Sequence, residues 1–190
     1  DGRWLAVMSS RTHQVSVYGV ETGRVAMTFG DNSDGVTLCG SGFGDSQGLM
    51  LGSYTGRVRS WIITSQTSRV LPAHAAQTYG VAVHPQGQLG LSSGYDGRTW
   101  IIDWTSGRAL GMERLNSFMT RFSADGRRAV MHDQGQSKLH VYDVEVSDVC
   151  RQFTLHATLA GYRPPKGSWC AEVSPDGRLL ACSNYGETTI

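Results

Sequence analysis

Short apolar runs recur along this chain, and each follows a tight turn. They read "WLAVMSS" from Trp4, "LMLGSY" from Leu49, "LGLSSG" from Leu89, "RAVMH" from Arg128 and "LLACSN" from Leu179. A second set, rich in β-branched and aromatic residues, comes after each: "QVSVYGV" from Gln14, "RVRSWII" from Arg57, "RTWIIDW" from Arg98 and "KLHVYDV" from Lys138. A further run ends some units, as in "RVAMTFG" and "RALGMERL", and another precedes the turns, as in "TYGVAVH", "FMTRFS" and "SWCAEVS". Runs this short, with alternating positions and Gly-rich boundaries, predict β-strands. Nowhere does a window of helical length show a helical period, so the chain is expected to be all-β.

The turns set the spacing. Turn glycines are expected at Gly2, Gly48, Gly87, Gly126 and Gly177, with intervals of 46, 39, 39 and 51 residues. Asp-Gly and Pro-x-Gly reverse the chain because glycine takes positive φ without a steric penalty. Sliding the sequence by 90 positions lays Pro85 on Pro175, Gly87 on Gly177, Leu89 on Leu179 and Tyr95 on Tyr185. Four strands in a period of about 40 residues is the recurrence of a β-propeller blade.

Composition narrows the picture. The 24 glycines among 190 residues are roughly twice average usage, as many tight turns require. With 17 basic and 16 acidic side chains the net charge is +1, so no field of one sign draws the chain to nucleic acid or an anionic membrane. Cys39, Cys150, Cys170 and Cys182 have no C-x-x-C spacing and sit in apolar runs. They read as buried free thiols of a reducing, intracellular compartment, cytoplasm or nucleus, with no disulfide framework or zinc site. No apolar run is long enough to span a membrane as a helix. The chain opens on "DGRWLAVMSS" and stops at "NYGETTI", so both ends read as cut within a unit.

The repeat resembles the WD40 family. "SPDG" stands at Ser174 to Gly177, with variants at Ser123 to Gly126 and His84 to Gly87, and "GYDG" at Gly94 to Gly97 matches the family's second turn. The Trp-Asp position reads Tyr18-Gly19, Trp61-Ile62, Ile102-Asp103 and Tyr142-Asp143. The resemblance covers the whole chain, residues 1–190. It implies a propeller of four-stranded antiparallel blades, with about four and a half present, from a seven- or eight-bladed ring. It also aligns His74, Ser92 and Asp96 with the family's structural tetrad, with Ile102 where the Trp belongs. Thr55 and Gly186 replace the Asp elsewhere.

Candidate chemistry is sparse. His74, Ser92 and Asp96 have the composition of a catalytic triad, but no G-x-S-x-G elbow accompanies them, and a buried polar network accounts for them. "GSGFG" at Gly40 to Gly44 lacks the helix and Lys of a phosphate loop and reads as an extended turn. The six histidines, His13, His74, His84, His132, His140 and His156, show no metal-ligand spacing, and neither metal nor cofactor is expected. Arg127-Arg128 lacks the flanks of a phosphoinositide-binding "FRRG" motif. "IDWT" and "YDVE" lack the Arg of a "WDxR" motif.

One positional pattern stands out. Tyr79, Phe118 and Trp169 each stand eight residues before a turn glycine, at the expected start of the innermost strand. Two readings fit: anchors for a partner on the rim around a central channel, or rings wedged between blades, since Tyr79 shares parity with Val81 and Val83. The stretch from His156 to Ser168, with Tyr162, Arg163 and Lys166, is a second candidate, either a partner-binding loop or a tolerated surface insertion. These features point to a non-catalytic interaction scaffold whose partners are other proteins of a larger assembly. Alternatives are a nucleic-acid-associated propeller using Arg57, Arg59 and Arg98 beside aromatic rings, and a propeller enzyme with a cofactor in its channel.

Overall fold

A computed structural model of the chain describes residues 2–9, 11–29, 37–42, 48–87, 89–133, 136, 138–147, 151–159, 170–184 and 187–189. Every regular element among them is a strand. The first sheet contains β1 (Trp4–Met8), β2 (Val15–Gly19) and β3 (Val25–Phe29). The second contains β4 (Thr37–Gly42), β5 (Gly48–Ser53), β6 (Val58–Ile62) and β7 (Thr67–Leu71). The third contains β8 (Thr78–Val83), β9 (Leu89–Gly94), β10 (Arg98–Asp103) and β11 (Ala109–Glu113). The fourth contains β12 (Thr120–Phe122), β13 (Arg128–Asp133), β14 (Lys138–Val146) and β15 (Arg151–Leu159). The fifth contains β16 (Cys170–Val173), β17 (Leu180–Asn184) and β18 (Glu187–Thr189). Within each sheet, strands follow chain order and pair antiparallel with the next.

The turns hold the pattern in four of five places. Gly2, Gly87, Gly126 and Gly177 take φ between 69° and 74°. Gly48 does not. It opens β5, pairs with Ile62 across the ladder and is buried, so it belongs to the ladder and not to a turn. A second boundary also moves. His156 to Leu159 belong to β15, whose pairing with β14 carries the ladder past them; any insertion begins later than His156.

Alternation along each strand divides its side chains between two neighbouring sheets. Val15, Val17 and Phe29 of the first sheet meet Leu49, Leu51 and Ile63 of the second. Met50, Val58 and Leu71 face the other way, onto Val81, Val83 and Ile102 of the third. Ala82, Leu89, Leu91 and Ile101 then pack on Ala129, Met131, Tyr142 and Val144 of the fourth. Met119, Val130 and Leu139 receive Val173 and Leu180 of the fifth. The second strands β5 and β9 are therefore buried at every position. A sheet apolar on both faces is stable only when both are covered, and here each sheet covers the next.

The first strands of the successive four-stranded sheets lie side by side. Val83 N–H donates to Ser41 Oγ at 3.2 Å, joining β8 to β4, and Arg121 Nε meets Glu172 Oε1 at 3.1 Å, joining β12 to β16. The turns after these strands also touch. His84 Nε2 donates to the Gly126 carbonyl at 3.0 Å, and Asp125 N–H to the Pro175 carbonyl at 3.3 Å. The first sheet is the exception, for β1 is exposed at all five positions despite its sequence WLAVM.

Candidate functional site

At one end of the third sheet, His74 lies in the link between β7 and β8. Asp96 lies in the β9–β10 turn, and Ser92 is on β9. His74 Nδ1–H donates to Asp96 Oδ1 at 3.0 Å, and Nε2 accepts from the Ser92 hydroxyl at 3.0 Å, the tautomer that the carboxylate dictates. Asp96 also accepts from the Ala75 N–H at 3.0 Å and the Arg98 N–H at 3.2 Å. Burial holds the His74 imidazole below its ordinary value against the opposing pull of Asp96. Burial pushes the Asp96 carboxyl up, but the Ala75 N–H and the His74 ring more than offset it, leaving it below the usual carboxylate range.

The His74 side chain is 0% exposed and Ser92 is 0% exposed. The Ser92 hydroxyl is thus enclosed among the described residues. What the trio does is mechanical: it clamps the β9–β10 turn to the link that enters β8, with Tyr95 N–H donating to the Gln77 carbonyl at 2.8 Å beside it. The clamp demands glycine at Gly94, because a Cβ there would sit 2.5 Å from the His74 ring. In the second sheet Thr55 stands where this trio has Asp96; its hydroxyl and that of Ser53 lie 2.9 Å apart.

The two clamped segments bring aromatic rings together. Tyr79 and Phe118 meet edge to face with centroids 4.6 Å apart. Tyr95, at the tip of the clamped turn, stands 6.1 Å from each. Tyr79 and Phe118 are half-buried and Tyr95 is 56% exposed. Strand parity assigns Tyr79 to the face of Val81 and Val83, but the ladder slips between Thr78 and Gly80. Tyr79 is the extra residue of a β-bulge, which turns its ring toward the fourth sheet. Phe118 stands two residues before β12, in the connection and not in the strand. Trp169, Tyr162, Arg163 and Lys166 lie outside the described residues.

Sequence reading passed over Tyr95 as a site residue. Tyr95 was visible as the residue at the tip of "GYDG", but only the clamp shows that this turn reaches Tyr79. Arg57 directly precedes β6, Arg59 lies on β6 and Arg98 opens β10; Arg59 Nη1 donates to Ser68 Oγ at 3.4 Å. Among the described residues, no three His, Cys, Asp or Glu side chains gather as metal ligands. No helix among them is long and apolar enough to cross a membrane. Cys39 is a free thiol whose Sγ donates to the Thr78 carbonyl at 3.5 Å, and burial pushes its pKa up to about 12. Burial thus favours the neutral thiol over the thiolate, the reactive form.

No protein-family model matches this chain, and no curated protein matches it in sequence.

Proposed function

We propose that this chain is part of a WD40-like β-propeller that acts as a non-catalytic scaffold, holding partner proteins within a multi-subunit assembly. The observation that carries the reading is the three-ring surface of Tyr79, Tyr95 and Phe118, held in place by the buried His74–Ser92–Asp96 clamp. Large rings on a rigid support make contact area with little loss of side-chain freedom, and they dominate protein–protein hot spots. A clamp whose only outlet is the placement of a surface turn suits docking. The sequential stacking of sheets, first strand beside first strand, supports a ring of blades.

The test is purification of the tagged endogenous full-length protein, sized by gel filtration, with co-eluting chains identified by mass spectrometry. Stoichiometric partners that are lost from a folded Tyr95→Ala variant support the scaffold. A lone species carrying a bound small molecule would overturn it. Electron microscopy of the same preparation reads the ring directly.

A further inference from the structure

We infer that the outer edge of the fourth sheet is a contact between two copies of this chain, in which β15 of one copy pairs antiparallel with β15 of the other in a register centred on Phe153. The contact uses none of the three rings and goes beyond the scaffold reading.

The edge itself carries the inference. The outer strands β3, β7 and β11 have five residues each, whereas β15 has nine. Among the described residues β15 ends its sheet and pairs with β14 alone, which leaves one row of its backbone N–H and C=O groups for another strand. Edges are ordinarily protected by brevity, by lysine or proline, or by a bulge. β15 reads "RQFTLHATL", with neither lysine nor proline. Its protection is one bulge: the ladder slips between Val141 and Tyr142, leaving His156 as the extra residue. His156 Nδ1 lies 3.0 Å from Asp143 Oδ2, a contact that holds the bulge. The regular run from Arg151 to Leu155 stays open beside it.

Pairing on the inner side fixes which groups point out. Val144 N–H donates to the Arg127 carbonyl at 2.9 Å, so the backbone of Val144 faces β13 and those of Asp143 and Glu145 face β15. Their partners there are Thr154 and Gln152, and the direction of hydrogen bonding alternates along an antiparallel strand. Arg151, Phe153 and Leu155 therefore turn their backbone groups outward. A twofold axis at Phe153 gives the one symmetric register that uses all three residues on both copies. It sets Phe153 against its own copy, position 151 against 155, and Gln152 against Thr154. Each face then meets its like. Phe153 and Leu155 pair with Val144 and Tyr142 on the apolar side, and Leu155 is 52% exposed. Gln152 and Thr154 form the other side, polar and exposed. Gln152 Nε2 donates to Thr154 Oγ1 at 3.2 Å within one chain, and the register offers the same bond between chains. The two copies of Arg151 are not set against each other, so no like charges oppose the match.

Analytical ultracentrifugation of the full-length protein tests the contact. A concentration-dependent monomer–dimer equilibrium is expected, and Leu155→Pro is expected to weaken it by about tenfold or more. Proline there removes an outward N–H that the fold itself does not use, which is why edge strands tolerate it. A thermal melt matching the parent shows that the fold is kept. The second variant, Gln152→Cys with Thr154→Cys, changes two exposed residues. Its oxidation is expected to join position 152 of one chain to position 154 of the other, read by mass spectrometry. Pairs not hydrogen-bonded across an antiparallel contact have Cα atoms about 4.5 Å apart, within disulfide reach.

A monomer at every concentration overturns the inference. So does a dimer that a folded Leu155→Pro variant leaves intact; if Leu5→Lys with Val7→Lys abolishes that dimer, the contact lies on the first sheet instead. Should Leu155→Pro fail to fold, the cross-link decides: its formation supports the β15 pairing and its absence overturns it.

Discussion

Ser92 and His74 show how one buried contact reaches the surface. The Ser92 hydroxyl supplies the only hydrogen that the His74 Nε2 acceptor receives in the clamp. Ser92→Ala leaves that nitrogen buried without a partner, at an expected cost of about 1–3 kcal/mol, read from denaturant unfolding at pH 7.5. The clamp also responds to acid. His74, His84 and His132 are each held below their ordinary pKa by burial. For such groups the neutral form belongs to the folded state. Their contribution is full above an unfolded pKa of about 6.5 and declines as pH falls through the lower folded values. The unfolding midpoint in urea is therefore expected to drop between pH 7.5 and pH 5, and a flat profile over that range would refute the assignment. Asp96 is depressed as well, so its contribution is lost in a separate window, below about pH 3.8.

Strands divide their side chains by parity, and the interfaces follow from it. Met50 points to the third sheet while Leu49 and Leu51 on either side point to the first. Met50 is 0% exposed, so Met50→Ala is expected to cost about 2–5 kcal/mol. Calorimetry that shows a shift well below this would mean that the second and third sheets close over the gap. Apolar runs and turn residues made most strands readable from sequence, including β10 from "RTWIIDW" and β14 from "KLHVYDV", but not β4, part of which reads as the turn "GSGFG", nor β7, β15 and β18. Tyr79 was not readable in the same way. A bulge is one unpaired residue between two paired ones, and alternation of residue types does not record it; only the pairing of Thr78 and Gly80 with β9 does. Gly48 misled for the opposite reason. A glycine after polar residues resembles a turn, yet the ladder extends over it.

The five sheets follow one another along the chain, and the first has a face that nothing described covers. Leu5 and Val7 are 56% and 45% exposed, although β5 and β9, the equivalent strands of the next two sheets, are wholly buried. Neighbouring apolar residues on an exposed strand promote association between copies. Leu5→Lys with Val7→Lys is expected to reduce self-association of the 190-residue chain in light scattering. It should shift unfolding by no more than about 0.5 kcal/mol, as surface changes do. Unchanged scattering would show that this face does not drive association.

Local patterns in the chain determine the strands, most of the turns and the repeat of sheets, because strand formation and chain reversal depend on near neighbours in sequence. The His74, Ser92 and Asp96 trio could be picked out by its place in the repeat. Tertiary structure decides what the trio accomplishes. It unites Tyr79 of β8, Tyr95 of the β9–β10 turn and Phe118 of the link to β12, through one bulge and one clamped turn. Such outcomes depend on contacts between segments distant in sequence, which the order of residue types along the chain does not encode.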